Sequence, residues 1–67
     1  MIDFRVVDLT TFEGEYNGHR IRISRNETTR DWEIFLDGKP TNIRFETAGQ
    51  CKQYVVKIVH KLDERTN

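Results

Sequence analysis

The chain contains few side chains that could act as nucleophiles, general bases or metal ligands. Cys51 is its only cysteine, which excludes an internal disulfide and the paired-cysteine spacings of zinc sites. Cys51 also falls on the apolar side of the helix predicted below. Because a buried free cysteine usually behaves as a small hydrophobe, we expect Cys51 to pack in the core rather than to react.

The two histidines, His19 and His60, could serve as general bases or metal ligands. Neither has a carboxylate or a cysteine at a spacing typical of such sites, so we expect both to lie on the surface. Asp63 and Glu64 are expected at the solvated end of a helix. The sequence has no glycine-rich phosphate loop, nucleophile elbow or metal-binding motif. It therefore predicts a protein that is not an enzyme and that needs no cofactor and no metal.

Length and composition limit the class of protein further. The 67 residues are expected to form a single domain, spanning 1–67, with a thin stability margin. Such small domains often rely on disulfides, a metal or a partner subunit, and here a partner is the support that remains. The 11 basic and 11 acidic residues cancel, which argues against holding nucleic acid by bulk charge alone. Because no membrane span or signal peptide is visible, we expect a cytoplasmic protein without membrane contact.

A C-terminal helix over 48–64 is the clearest predicted element. Thr47 and Gln50 have the spacing of a capping box, in which each side chain bonds the backbone N–H of the other residue. The apolar residues that follow recur at i, i+3, i+4, i+7, i+8 and i+11, which places them on one side of a helix. These residues are Cys51, Tyr54, Val55, Ile58, Val59 and Leu62.

Upstream of the helix, apolar and polar residues alternate with a period of two, which predicts strands with one apolar side. Ile21 and Ile23, for example, alternate with Arg20 and Arg22. The apolar sides of these strands, together with the helix, would form one core. The strands predicted in this way span 19–25, 31–37 and 42–46.

Turn signals indicate how the strands connect. Asn17-Gly18 is the strongest hairpin signal in the chain, since a type I′ turn needs positive φ at both positions. It indicates a further strand before it, at about 11–16 or about 2–9. In the second of these ranges the alternation changes parity after Val6, as it would at a bulge. The predicted fold is α+β, an antiparallel meander of three to four strands with one helix packed on one face.

Strand alternation sends the polar residues to the side of the sheet that the helix does not cover. Two interpretations are open for that side. Glu33 and Asp37 could simply pair with arginines of neighbouring strands, which would leave a solvated surface of mixed charge. Alternatively, the arginines and an aromatic residue form a binding platform, together with the loop from Arg25 to Asp31. The candidate binding residues are Arg20, Arg22, Arg25, Arg30, Phe35 and Arg44.

The order of elements resembles the arm-type, AP2-like DNA-binding domain at the N-terminus of tyrosine recombinases. The resemblance runs from about Tyr16 to Leu62, with Trp32 in the second strand of the motif, Gly38-Lys39 in the next turn and Phe45-x-Thr47 before the helix. It implies a three-stranded sheet in the DNA major groove, with the six candidate residues near DNA. The chain is also similar to small stand-alone proteins of phages and mobile elements, many of which grip a host protein.

These observations predict a non-catalytic binding module. Because a neutral domain gains little from counterion release, the favoured function is a small regulator or inhibitor that binds a protein partner or forms a homodimer. Its contact surface would be the uncovered side of the sheet and the N-terminal segment, with the apolar pairs Ile2/Phe4 and Val7/Leu9. The alternative is a DNA-binding protein. A small-molecule substrate is not expected, since so short a chain has little room for a deep pocket.

Overall fold

The computed structural model describes residues 3–65, which form one antiparallel sheet and one helix. The helix packs against one side of the sheet, so the predicted α+β class is confirmed. The strand order follows the chain, β1-β2-β3-β4-β5. In chain order the elements are β1 (Arg5–Asp8), β2 (Thr11–Tyr16), β3 (His19–Arg25), β4 (Trp32–Leu36), β5 (Lys39–Phe45) and α1 (Ala48–Arg65).

The prediction of three to four strands is too low, because both N-terminal segments form strands rather than one of them. Gly14 lies within β2, opposite Ile21, and does not interrupt the pairing of β2 with β3. β1 pairs with β2 in turn, with an irregular register between Val6 and Asp8. The change of parity in the sequence after Val6 coincides with this irregularity. Ile2, which was expected to contribute to the N-terminal strand, lies outside the described residues.

Two tight turns have the backbone that their sequences favour. Asn17 and Gly18 have φ values of 50° and 82°, and Asp37 and Gly38 have 51° and 83°. Positive φ at two successive positions is the requirement of a type I′ hairpin, whose twist matches that of the strands it joins. β5 begins at Lys39, directly after the second turn, and so extends further toward the N-terminus than the predicted range of 42–46.

The core lies between the sheet and the helix. Its fully buried side chains come from the centre of the sheet and from one side of α1, and burial of each aliphatic one stabilises the fold by about 1.5–3 kcal/mol. They are Ile21, Ile23, Ile34, Cys51, Val55 and Val59. Tyr54, predicted as a core residue, is 37% exposed. It lies at the edge of the core, where its ring contacts that of Phe45.

The N-terminus of α1 is fixed by the predicted capping box. Gln50 donates its backbone N–H to Oγ1 of Thr47 at 3.2 Å, and the backbone N–H of Thr47 donates to Oε1 of Gln50 at 3.2 Å. The two bonds satisfy backbone donors that the first helical turn leaves free. From this start, α1 crosses β3, β4 and β5, and leaves the other side of the sheet uncovered.

Candidate functional site

The uncovered side of the sheet, called here the outer face, is assembled by cross-strand pairing. One row of neighbours runs Arg5, Glu13, Arg22 and Phe35 across four strands, and a second runs Thr11, Ser24, Glu33 and Arg44. Glu15 and Arg20 form a third, shorter row. Because directly opposed residues share a side of the sheet, these residues line one surface. The outer face therefore includes Arg5, Asp8, Thr11, Glu13, Glu15, Arg20, Arg22, Ser24, Glu33, Phe35, Pro40 and Arg44.

Glu13 is the centre of a cluster of opposite charges on this face. Its Oε2 accepts hydrogen bonds from Nη2 and Nε of Arg22 at 2.8 and 3.1 Å, while its Oε1 lies 3.5 Å from Nη2 of Arg5. The hydrogen bonds from Arg22, above all, lower the pKa of the Glu13 carboxyl. Two of the five strands thus present guanidiniums that share one carboxylate.

A second ion pair links Glu33 to Arg44, whose Nε lies 3.5 Å from Oε2. The other carboxylate oxygen of Glu33 accepts a hydrogen bond from the side-chain amide of Asn26 at 3.3 Å. The first of the two interpretations of this side gives Glu33 an arginine partner, and Arg44 is that partner. Asp37 was assigned an arginine partner too, but its carboxylate bonds His19 and the backbone N–H of Arg20 instead.

Four of the six candidate binding residues lie together on the outer face: Arg20, Arg22, Phe35 and Arg44. Phe35 is half-buried between Arg22 of β3 and Pro40 of β5. An open groove of about 610 Å³ runs past Phe35, Arg20 and Arg22 toward β1. Among residues 3–65, the side chain of Arg20 is in no ion pair.

The other two candidates do not join this surface. Arg25 is the last residue of β3, opposite Trp32, and has the same parity as Ile21 and Ile23, so strand alternation directs it to the helix side. Arg30 lies in the β3–β4 loop with a φ of 65°. In contrast, Arg5 and Glu13 belong to the outer face although the sequence did not single them out. Their positions follow only once β1 and β2 are both paired into the sheet.

The loop between β3 and β4 is organised by Asn26. Its side-chain oxygen accepts hydrogen bonds from the backbone N–H groups of Thr28 and Thr29 at 2.9 and 3.2 Å. Its own backbone N–H donates to the carbonyl of Asp31 at 2.7 Å. Asparagine commonly builds turns of this type. Hydrogen bonds within the loop therefore hold its conformation, and the residues at its tip are exposed.

His19 joins two turns of the sheet to the end of the helix. Its Nδ1 lies 2.9 Å from Oδ2 of Asp37, and its Nε2 lies 3.2 Å from Oδ1 of Asp63. The sequence spacing gives no sign of these carboxylates, because both are distant in sequence. His19 was expected on the surface, and its side chain is 25% exposed. The hydrogen bond to Asp37, followed by that to Asp63, raises the pKa of the imidazole. The same contact with His19 lowers the pKa of Asp37.

His60 forms a second contact of α1 with the β2–β3 hairpin. Its ring stacks on Tyr16 with 5.7 Å between the ring centroids, and its Nε2 lies 2.8 Å from the Tyr16 hydroxyl oxygen. Asn17 also donates its side-chain amide to Oδ2 of Asp63 at 3.2 Å. Across the described residues, no group of three or more His, Cys, Asp or Glu side chains is arranged to hold a metal ion. The contacts of His60 with Tyr16 and of Asp63 with Asn17 connect the last turns of the helix to the β2–β3 hairpin.

Cys51 is a core residue, as the sequence predicts. Its side chain is fully buried, and its Sγ donates a hydrogen bond to the carbonyl oxygen of Trp32 at 3.5 Å. Burial raises the pKa of the thiol to about 11. Since the thiolate is the reactive form of cysteine, this environment suits packing and not nucleophilic attack.

Three exposed apolar residues, called here the apolar patch, lie on β1 and the turn that follows it. Val6 is 63% exposed, Val7 is 49% exposed and Leu9 is 95% exposed. In residues 3–65, the remaining exposed large apolar side chain is Tyr54 on the helix. The clustering of three such residues in one short segment is unusual for a surface of this size, since single exposed apolar residues need no explanation but groups do.

Comparisons of the chain with protein-family models, with curated proteins and with solved structures gave no match. Over residues 3–65, no helix combines the length and the apolar character that crossing a membrane requires.

Proposed function

We propose that this chain is a non-catalytic binding module, a small regulator or inhibitor that recognises a protein partner through its outer face. The observation that carries the proposal is the pairing of the outer-face arginines. Arg5, Arg22 and Arg44 each lie within 3.5 Å of a glutamate oxygen. Their charge is largely compensated, so the face suits a partner of mixed charge better than a phosphate backbone.

Phe35 gives this surface an apolar side chain. It is half-buried on β4, next to Arg22. Aromatic and arginine side chains surrounded by polar groups are the residue types on which protein interfaces most often depend for affinity. The Arg22–Glu13 pair also restrains the Arg22 guanidinium before a partner arrives, which lowers the entropy lost on binding.

The alternative function is DNA binding by the sheet, as the resemblance to arm-type domains implies. It is supported by Arg20, which among residues 3–65 has an exposed guanidinium without a carboxylate in contact. Arg20 and Arg44 would then contact phosphates, and Arg22 would have to exchange Glu13 for DNA. Binding of that kind weakens steeply as salt is raised, because counterions are released from the phosphates.

The experiment is a capture assay with tagged protein, followed by titration of the purified partner. The variants are Phe35→Ser and Arg22→Glu on the outer face, and the matched control is Arg30→Glu, which makes the same charge change off that face. We expect a protein that the wild type and Arg30→Glu retain and that both outer-face variants lose. Equal retention by all four proteins would contradict the proposal. Salt-sensitive binding to duplex DNA, lost with Arg20→Glu, would favour the alternative.

A further inference from the structure

β1 is an edge strand of the sheet: among residues 3–65 it pairs with β2 and with no other strand. All four residues of this strand are exposed. An edge strand offers unpaired N–H and C=O groups to any other strand that approaches, and proteins usually protect such edges. An edge without such protection is a candidate site for pairing with another strand.

The opposite edge is protected. In β5, Pro40 has no N–H to donate, Asn42 has a φ of 66°, and the register with β4 shifts between Glu33 and Phe35. Lys39 adds a charge at the start of the strand. Proline, charge and irregular pairing are all known to prevent edge-to-edge association.

The β1 edge lacks the proline and the lysine that protect β5. It has an irregular register of its own, between Val6 and Asp8, but the residues exposed at that point are two valines rather than a proline and a lysine. Leu9 follows at once and is 95% exposed. On the helix side, Phe12 lies opposite Val6, and the Lys52 ammonium lies over the Phe12 ring, 4.1 Å from its centroid. The open edge and the apolar patch therefore coincide.

We propose that β1 pairs antiparallel with β1 of a second copy of this chain, so that two five-stranded sheets join across a twofold axis. The charges of the strand support a second copy as the occupant. β1 begins with Arg5 and ends with Asp8, so in an antiparallel pair of identical strands the basic end of each strand lies beside the acidic end of the other, one position away from direct opposition. One of the two valines between them meets its counterpart at the axis. A domain with so small a core also gains from a partner subunit.

This self-association uses the edge of the sheet, which meets the outer face at Arg5 and Asp8 and leaves Arg22, Phe35 and Arg44 available to another protein. It therefore goes beyond the proposed function, and either proposal can fail alone.

The twofold symmetry of the proposed dimer also restricts the register of the two β1 strands. In an antiparallel pair a twofold axis passes between identical residues, so Val6 or Val7 lies opposite its own counterpart, with Cα atoms about 4.5–5.5 Å apart. That separation lies within the range that a disulfide can bridge.

The first test uses this restriction. Val6→Cys and Val7→Cys are prepared separately, with Thr28→Cys as a matched control at an exposed loop position. Native Cys51 is buried and does not compete. We expect one of the two β1 variants to form a disulfide-linked dimer at least about tenfold faster than the control, since pairing raises the effective concentration of the thiols. Cross-linking of both β1 variants at the rate of Thr28→Cys would overturn the proposal.

The second test measures association of the chain without cross-linking. Sedimentation equilibrium of the wild type should show a weak, concentration-dependent dimer, because one short edge strand buries less surface than most stable interfaces. Val6→Lys should be monomeric and Thr28→Lys should behave as the wild type, with far-UV circular dichroism confirming that both fold. A wild type that stays monomeric at every concentration would refute the dimer. The outer-face capture assay, repeated with Val6→Lys, shows whether partner binding survives independently.

Discussion

Nδ1 of His19 lies 2.9 Å from Oδ2 of Asp37, although the two residues belong to different hairpins. The other ring nitrogen of His19 faces Asp63 near the end of the helix. Since a carboxylate can only accept, an imidazolium that donates from both nitrogens satisfies this arrangement best. The protonated ring thus ties together two turns of the sheet and the last turns of α1.

Stability should consequently fall as the pH rises above the ordinary histidine pKa. The pKa of His19 is raised in the folded protein, so its contribution is fully present below the ordinary histidine pKa of about 6.5 and is lost as the pH rises through the folded value. Thermal unfolding of the wild type should therefore occur at a lower temperature at pH 8.5 than at pH 6. His19→Gln should show a smaller difference between these two pH values. An equal difference in both proteins would exclude His19 as the cause.

At acid pH the sign reverses, because the carboxylates of Asp8, Glu13 and Asp37 have lowered pKa values. Their contributions are present above the unfolded pKa values of about 4 and are lost as the pH falls through the lower folded ones. We expect the melting temperature to decline below pH 4. Asp37→Asn should decline less than the wild type over this range, as measured by circular dichroism at a series of pH values.

Removing side-chain volume from the core should lower the free energy of unfolding. Ile34 is 1% exposed and packs between Ile23 and the helix. Removing buried methyl groups costs about 0.5–1.5 kcal/mol for Ile34→Val and about 2–5 kcal/mol for Ile34→Ala. Urea unfolding should resolve the first change, whereas the second should leave a substantial unfolded fraction in buffer. If Ile34→Ala cost no more than Ile34→Val, the position would not be packed as described.

The type I′ turn between β2 and β3 should depend on glycine. Gly18 has a φ of 82°, a backbone conformation that side chains with a Cβ rarely adopt, although no atom lies within 4 Å of the added carbon. Gly18→Ala should therefore cost about 1 kcal/mol of unfolding free energy through backbone strain alone. Gly49→Ala, in the first turn of the helix, is a control that should be neutral or stabilising. Chemical denaturation of both variants tests this difference.

Cys51 should be inert in the native protein. Its thiol is fully buried and its pKa is raised to about 11, so the thiolate is scarce and inaccessible at neutral pH. A colourimetric thiol reagent should react slowly with the folded chain and at the rate of a free thiol in denaturant. Rapid reaction under native conditions would show that the helix opens locally.

Local patterns predicted the elements that depend on neighbouring residues. The capping box of Thr47 and Gln50 and the turn at Asn17-Gly18 involve contacts within a few positions, so their residue types are sufficient. The His19 network was missed because Asp63 stands 44 positions away, and nothing in the spacing indicates that a helix end and a hairpin meet. The role of Glu13 was missed for a related reason, as its partners become visible only when β1 and β2 are both in the sheet.

The strand order also bears on how the chain folds. Each strand pairs only with the strand before or after it, so the sheet can grow by successive hairpins that close short loops. The contacts of Tyr16 with His60 and of His19 with Asp63 close long loops of 44 positions each, so we expect them to form late. Weakening either contact should therefore speed unfolding while leaving the refolding rate almost unchanged.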